Sequence, residues 1–405
     1  MNGEFAITTH LDLLPSQRTT HESPKEEPIL AINLLTGRRL RAPREALLQL
    51  LERHRLGASL RGDLAERAVH ADILRPVEES QALLSPCDLL AELDRVLSRY
   101  LAQPRHLSPE SILDKLDRCR QDFARRVAVP GIEDRLLHPQ QPFHKVYDEE
   151  SHYLWHDPQR LIETVFATVS LFVQREWTDA TYPFDIEFLR LAIGRPRALL
   201  EYEQQPCLLS TTLERCRLAR RDGGTGYLVL GDDDLISVAL TCGPNSQARP
   251  DDVDVIELDE RLLQFLAGRT LATLHSGDLT AGLPAKFHHR YTTVFTDPMY
   301  LAEGMHGFIG CCRQGLSFDR GSRVFLSTCP EQLQHPAQFW QSLAAHGLQV
   351  SRQHKAFSRY RLPQSPRQAT LEGLTQIGLP AAVTSTLLSV PYLYADMFEL
   401  ESVVA

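Results

Sequence analysis

Three consecutive carboxylates, Asp232-Asp233-Asp234, stand behind Gly231 at the end of the apolar run Tyr227-Leu228-Val229-Leu230. Like charges repel and each one resists burial, so such a cluster is costly to place. It fits a site where a cation is handled or a proton is taken. Some 60 residues on, a second run, Thr293 to Thr296, ends in Asp297-Pro298-Met299-Tyr300. Two strand ends tipped with acid are what an open α/β sheet presents to a ligand at its carboxyl edge. The plainer alternative, a helix cap on a solvated turn, explains one such turn better than it explains two.

A third acidic strand end lies between them. Glu257 and Asp259 flank Leu258 after the run from Val253. An acid there can accept both hydrogen bonds of a ribose diol. Strand period puts both on one face, with Asp259 nearer the edge, so Asp259 is preferred. The glycine pattern is not GxGxxG, and acids beside Gly231 repel a pyrophosphate. A dinucleotide is therefore disfavoured, and a cationic sulfonium nucleoside is the better match. Asp278, in the loop His275-Ser276-Gly277-Asp278, is placed to meet an adenine amine or to be a plain loop acid.

The elements that must position these residues alternate. A helix over 208–221 leads through Gly223-Gly224-Thr225-Gly226 into the run 227–230. A short helix (235–241), a strand (253–258), a helix (260–267) and an apolar run (270–274) follow. Beyond the run at 292–296 come a helix (305–316), a strand (322–327) and a helix (336–346). Residues 347–356 and 357–362 read as a closing hairpin. This order predicts a doubly wound, mostly parallel sheet. Residues 1–28 are polar and loose. Residues 29–80 order themselves as a winged-helix-like module. Residues 81–200 read as a helical cap, 201–365 as the catalytic domain, and 366–405 as a less regular extension that packs back.

The 405 residues carry a net charge of -9, with 43% hydrophobic and 23% charged residues, as in a globular protein. The acidic balance disfavours nucleic acid. No apolar run reaches the ~18 residues of a membrane span. The eight cysteines form no CxxC pair, which suits a reduced, cytoplasmic chain without structural zinc. His144, His152 and His156 have loose metal-like spacing but lack carboxylate or cysteine partners, so no metal is expected. No GxSxG elbow of a serine hydrolase is present.

Asp297-Pro298-Met299-Tyr300 resembles the Asp-Pro-Pro-Tyr motif of amino-group methyltransferases. There the carboxylate and a following carbonyl hold an amine with its lone pair toward the electrophilic carbon, and an aromatic ring packs over it. The span 202–362 resembles more specifically the branched-chain polyamine synthases, the N4-bis(aminopropyl)spermidine synthase family. The matching pieces are Tyr202-Glu203-Gln204, Thr211-Thr212-Leu213-Glu214-Arg215, Leu230 to Leu235, Asp259-Glu260-Arg261, Thr296-Asp297-Pro298 and Glu303-Gly304. The resemblance implies a Rossmann-like class I methyltransferase fold that does not methylate. It implies movement of a three-carbon amine arm from a sulfonium nucleoside, with release of methylthioadenosine. By position, one of Asp232 to Asp234 would bind and help deprotonate the amine, and Asp297 would hold it.

The chain departs from that family's Asp-Pro-Pro-Glu-Thr at Met299-Tyr300-Leu301, which removes an acidic contact for a polyamine. Its aromatic segment 143–156 reads as an added cap. Both suit a smaller, enclosed site, in which the α-amine of S-adenosylmethionine could attack its own γ-carbon to give azetidine-2-carboxylate. Tyr147, Tyr153 or Trp155 would then stack on the sulfonium, worth on the order of 1–2 kcal/mol when desolvated, or simply pack between layers. Arg195, Arg197 or Lys145 could pair with a donor carboxylate. The expected catalytic residues are Asp232, Asp233, Asp297 and Tyr300. The expected nucleoside contacts are Gly231, Glu257, Asp259, Asp278, Pro298, Tyr147, Tyr153 and Trp155. The expected donor is S-adenosylmethionine or its decarboxylated form, used as a substrate. The partner is a small molecule, not nucleic acid or membrane, and a homodimer is left open. Two alternatives are an amine N-methyltransferase and a ligand-sensing DNA-binding regulator.

Overall fold

The structure, a computed structural model, describes residues 5–7, 11–15, 28–33, 39–55, 62–71, 73–76, 185–199, 202, 204–221, 224–242, 252–298, 302–330, 336–361 and 392–403. Tyr147, Tyr153, Trp155, Lys145, Tyr300 and the helical region expected from 81 lie outside the described residues. The chain divides into two compact units, one of 1–80, 180–360 and 394–405, the other of 81–179 and 361–393.

The N-terminal part holds a three-stranded antiparallel sheet of β2 (Leu11–Pro15), β3 (Pro28–Asn33) and β4 (Arg39–Pro43), with β3 in the middle. A separate pair joins β1 (Phe5–Ile7) to β5 (Leu74–Pro76). Helices α1 (Arg44–Arg55) and α2 (Asp63–His70) lie between β4 and β5 in the chain. Then α3 (Ile186–Ala192) starts at Asp185, whose side chain caps the Glu187 N–H at 2.9 Å. Its buried Ile186, Phe188 and Leu189 join the same hydrophobic cluster as Leu47 and Leu51 of α1 and the helices of the main sheet.

The main sheet has seven strands: β6 (Tyr227–Leu230), β7 (Val253–Glu257), β8 (Thr273–Ser276), β9 (Thr293–Thr296), β10 (Arg323–Thr328), β11 (Leu348–Arg361) and β12 (Tyr392–Ser402). Their order is β8-β7-β6-β9-β10-β12-β11. Strands β6 to β10 run parallel, and β12 runs antiparallel to β10. Intervening helices are α5 (Ile236–Thr241), α6 (Glu260–Leu266), α7 (Ala302–Gly315) and α8 (Pro336–Ala345), with α4 (Leu209–Arg220) ahead of β6. This is the class I methyltransferase arrangement: the strand order reverses between β6 and β9, and the last strand is inserted antiparallel.

Side-chain alternation builds both faces of the sheet. Val229, Val255, Phe295 and Phe325 belong to one buried cluster, and Leu228, Ile256, Val294 and Leu326 to the other. Phe295 and Phe325 stack with centroids 5.4 Å apart. All four residues of β6 and of β9 are buried, as expected of central parallel strands covered on both sides. Among the described residues, no helix is long and apolar enough to cross a membrane.

Two local expectations are corrected. The hairpin read over 347–362 is one long strand, β11, bent where Ala356 takes a φ of +49° and donates its N–H to Asp396. Its partner comes from the tail, where β12 is buried along most of its length and is not an irregular extension. A strand buried on both faces loses the alternation by which strands are recognised. Likewise, His275 and Ser276 end β8 and are not loop residues.

The insertion of β12 can be tested at Phe398, which is fully buried and lies 5.2 Å from the Phe339 ring of α8. Phe398→Ala is expected to lower stability by about 3–5 kcal/mol in urea unfolding. A loss below about 1 kcal/mol would mean that the tail does not complete the core.

Candidate active site

The turn after β6 decides where the three carboxylates point. Gly231 takes a φ of +74°, which suits glycine. Its N–H donates to the Ile256 carbonyl of the neighbouring strand at 2.9 Å. Leu235 closes the turn in the left-handed region, with φ +59° and no exposure. That conformation costs a leucine about 1–2 kcal/mol and is held by the surrounding packing. The result is a fan. Asp232 turns inward and accepts from the N–H and hydroxyl of Ser237 at the start of α5. Asp234 turns toward α4 and accepts from Arg215 Nη1 and from the Cys207 N–H. Asp233, half-buried, has no side-chain hydrogen bond among the described residues. Its carbonyl accepts from Arg195 Nη1 at 3.3 Å.

At the end of β9, Asp297 accepts through Oδ2 from Arg215 Nη2 at 3.1 Å and from the Tyr360 hydroxyl. Arg215 itself is buried, and its Nη2 also reaches Ser358 Oγ at 2.9 Å and Tyr360 at 2.7 Å. Ser327 Oγ of β10 donates to Ser358 at 2.8 Å and lies 2.9 Å from the Tyr360 hydroxyl. One guanidinium therefore ties both acid-tipped turns to the ends of β10 and β11.

These carboxyls sit well away from ordinary behaviour. Burial raises Asp297 to about 7, with Arg215 pulling down and Asp234 pushing up. Burial raises Asp232 to about 8, against the pull of Ser237. Burial and the charges of Asp234, Asp297 and Glu257 hold Asp233 well above the carboxylate range, while Arg195 opposes them. Groups poised this way at converging strand ends are suited to taking a proton near neutral pH.

At the end of β7 the two acids have separate jobs. Asp259 caps α6 through the Arg261 N–H, pairs with Arg261 Nη2 at 2.6 Å and accepts from Gln204. The carboxylate preferred from strand period for a ribose is thus committed to a helix cap and an ion pair. Glu257 instead accepts backbone N–H groups, from Asp232 at 2.8 Å, Leu258 at 2.8 Å and Asp259 at 2.9 Å. That places it against the β6 turn, beside the point where the strand order reverses. Asp278 is exposed and caps a short 3-10 turn, accepting from the N–H and hydroxyl of Thr280, which lower its pKa. Pro298 is buried directly behind Asp297.

The structure thus brings Gly231, Asp232, Asp233, Glu257 and Asp297 to one sheet edge. Arg215 and Tyr360 were missed as site residues by sequence reasoning. The Thr-Thr-Leu-Glu-Arg block was the one signal for Arg215, and nothing marked Tyr360, 145 residues further on. Among the described residues, no three His, Cys, Asp or Glu side chains are grouped as for a metal ion.

Comparison with known proteins places this edge in context. Residues 186–372 match the family described as the branched-chain polyamine synthase A C-terminal domain. The N(4)-bis(aminopropyl)spermidine synthase of Thermus thermophilus is 35% identical over 133 residues, 30% of this chain and 37% of that protein. The enzyme of that name from Thermococcus kodakarensis is 30% identical over 133 residues, 31% of this chain and 37% of its own. The matched stretch thus spans well under half the length of these relatives. A crystal structure of the Thermus thermophilus branched-chain polyamine synthase, in complex with N4-aminopropylspermidine and 5'-methylthioadenosine, covers 72% of this chain and 93% of its own. It does so at 20% identity and a TM-score of 0.43. The match over residues 186–372 takes in every described residue of the site, so over that stretch the chain is similar to the C-terminal domain of the branched-chain polyamine synthases.

Proposed function

We propose that this protein transfers an aminopropyl group from decarboxylated S-adenosylmethionine to a polyamine nitrogen and releases methylthioadenosine. The observation that carries this reading is the pair of open acid faces at adjoining strand ends. Among the described residues, Asp233 has no side-chain partner, and Asp297 keeps Oδ1 free while Oδ2 is anchored. The names of the 35% and 30% identical relatives support the same chemistry.

In the proposed step, Asp233 and Asp297 hold the amine by charge-assisted hydrogen bonds with its lone pair toward the donor carbon next to sulfur. The new C–N bond forms as the C–S bond breaks, and its electron pair goes to sulfur. Sulfur leaves as the neutral thioether of methylthioadenosine. The surplus proton on nitrogen passes to Asp297, which is ionised above about 7 and then free to receive it. The work is positioning plus proton acceptance. Glu257 is assigned to the ribose hydroxyls, with Gly231 and Pro298 shaping the approach. Asp278 is assigned to the adenine amine through the oxygen that Thr280 does not use. Asp232 acts through the fold by fixing α5, and Asp259 by fixing α6. Tyr300, Tyr147, Tyr153 and Trp155 stay candidates for packing over the sulfonium.

Cyclisation of S-adenosylmethionine to azetidine-2-carboxylate finds no support in the relatives. The charges also speak against it. A donor carboxylate about 5 Å from an ionised Asp233 or Asp297 is repelled by on the order of 3 kcal/mol at an effective dielectric of about 20. Arg215 and Arg261 are already committed to aspartates. The decarboxylated donor removes that repulsion.

Mass spectrometry of the products decides the reaction. Decarboxylated S-adenosylmethionine plus spermidine is expected to give methylthioadenosine and an aminopropylated polyamine. S-adenosylhomocysteine from S-adenosylmethionine and an amine would instead establish methyl transfer. Asp297→Asn and Asp233→Asn are each expected to lower kcat/KM by roughly 10²–10⁴-fold while methylthioadenosine binding, read by calorimetry, is kept. Unchanged rates would remove both residues from the site. The pH profile has a defined sign. Below about 7, Asp297 carries its proton and cannot accept another, so kcat/KM rises with pH through that region. Asp297→Asn should flatten that limb.

A further inference from the structure

We propose that Arg215 and Tyr360 are positioning residues that anchor Asp297 through one oxygen and so present the other to the amine. The assignment rests on the reading of the site as an amine-alkylating centre, and it adds two residues that touch no substrate.

The geometry is one-sided. Both donors to Asp297, Arg215 Nη2 and the Tyr360 hydroxyl, meet Oδ2, and Oδ1 has no partner among the described residues. The donors are themselves immobilised. Arg215 spends Nη1 on Asp234, Nε on Ser358 at 3.3 Å, and Nη2 on Ser358, Tyr360 and Asp297. Tyr360 is further held by Ser327 at 2.9 Å. A guanidinium with 3% side-chain exposure is costly to bury and would satisfy a purely structural demand by pairing with Asp234 alone. Here one positive charge is shared between two carboxylates. Asp297 is therefore oriented without being neutralised, and its proton affinity stays high enough to receive a proton. The charged and titratable groups facing it are Arg215, Asp234, Tyr360 and Asp233.

Replacement of Arg215 leaves two buried acids unpaired and threatens the fold, so Tyr360→Phe is the informative change. The ring is kept and one donor to the ionised carboxylate is lost, which favours the protonated form of Asp297. The ascending limb of kcat/KM should move up by about one pH unit, with activity recovering to within about tenfold of wild type above it. A structural role alone would depress the rate by the same factor at every pH and leave the limb in place. Carbon-13 NMR of labelled aspartate carboxyls, with the Asp297 signal assigned by its loss in Asp297→Asn, reads the same shift without turnover. A higher Asp297 midpoint in Tyr360→Phe supports the proposal, and an unmoved midpoint overturns it. Wild-type protein that makes no methylthioadenosine from any polyamine would sink the reaction assigned above, and the NMR titration would still decide the anchoring.

Discussion

The guanidinium of Arg215 is the interaction on which the rest of the site rests. Parallel strands that converge on a ligand bring their terminal side chains together, and here those side chains are acids. Asp234 and Asp297 arrive from different strands, and the charge of Asp234 raises the proton affinity of Asp297. A single fixed cation between them lets both turns close at a common edge. One charge set against two leaves the edge net negative. That is the electrostatic condition that the proposed sulfonium donor and polyamine acceptor require. The fixed cation does not supply that attraction. It sets how much negative charge the sheet can hold without coming apart.

Much of this edge was legible in the chain, and the legible parts share a cause. The Gly-Asp-Asp-Asp turn and the Asp-Pro step both follow short apolar runs, so local composition revealed strand ends carrying acid. Where local signals stop, so did the reading. Strand period put Glu257 and Asp259 on one face and favoured Asp259. Only the start of α6 shows that Asp259 is taken up as a helix cap while Glu257 turns back toward the β6 turn. Arg215 and Tyr360 lie 145 residues apart and meet because β11 ends beside the segment before α4, where Leu208 donates to the Arg359 carbonyl. No periodicity encodes that meeting. The tail strand was hidden for a related reason, since Tyr392 to Leu400 is buried on both faces, with only Asp396 and Glu399 polar, and carries no alternation to count.

The N-terminal strands and helices have a role that composition did not suggest. Their core residues and those of α3 fall in one hydrophobic cluster with one face of the main sheet. Leu235, which closes the turn that presents Asp233, belongs to that cluster, and Ile236 and Val238 of α5 continue it. Order at the acidic turn is therefore drawn from burial well behind the site, which is how a left-handed leucine is tolerated there.

The inserted position of β12 has a consequence for assembly. Residues 392–402 supply the strand that sits between β10 and β11, so a growing chain reaches Tyr360 long before β11 has a neighbour. Until that strand is made, β10 offers an open edge and β11, tied at its end to the segment before α4, has no neighbouring strand in the sheet, and unpaired edges are templates for pairing with other chains. Docking of one late segment then removes both hazards at once.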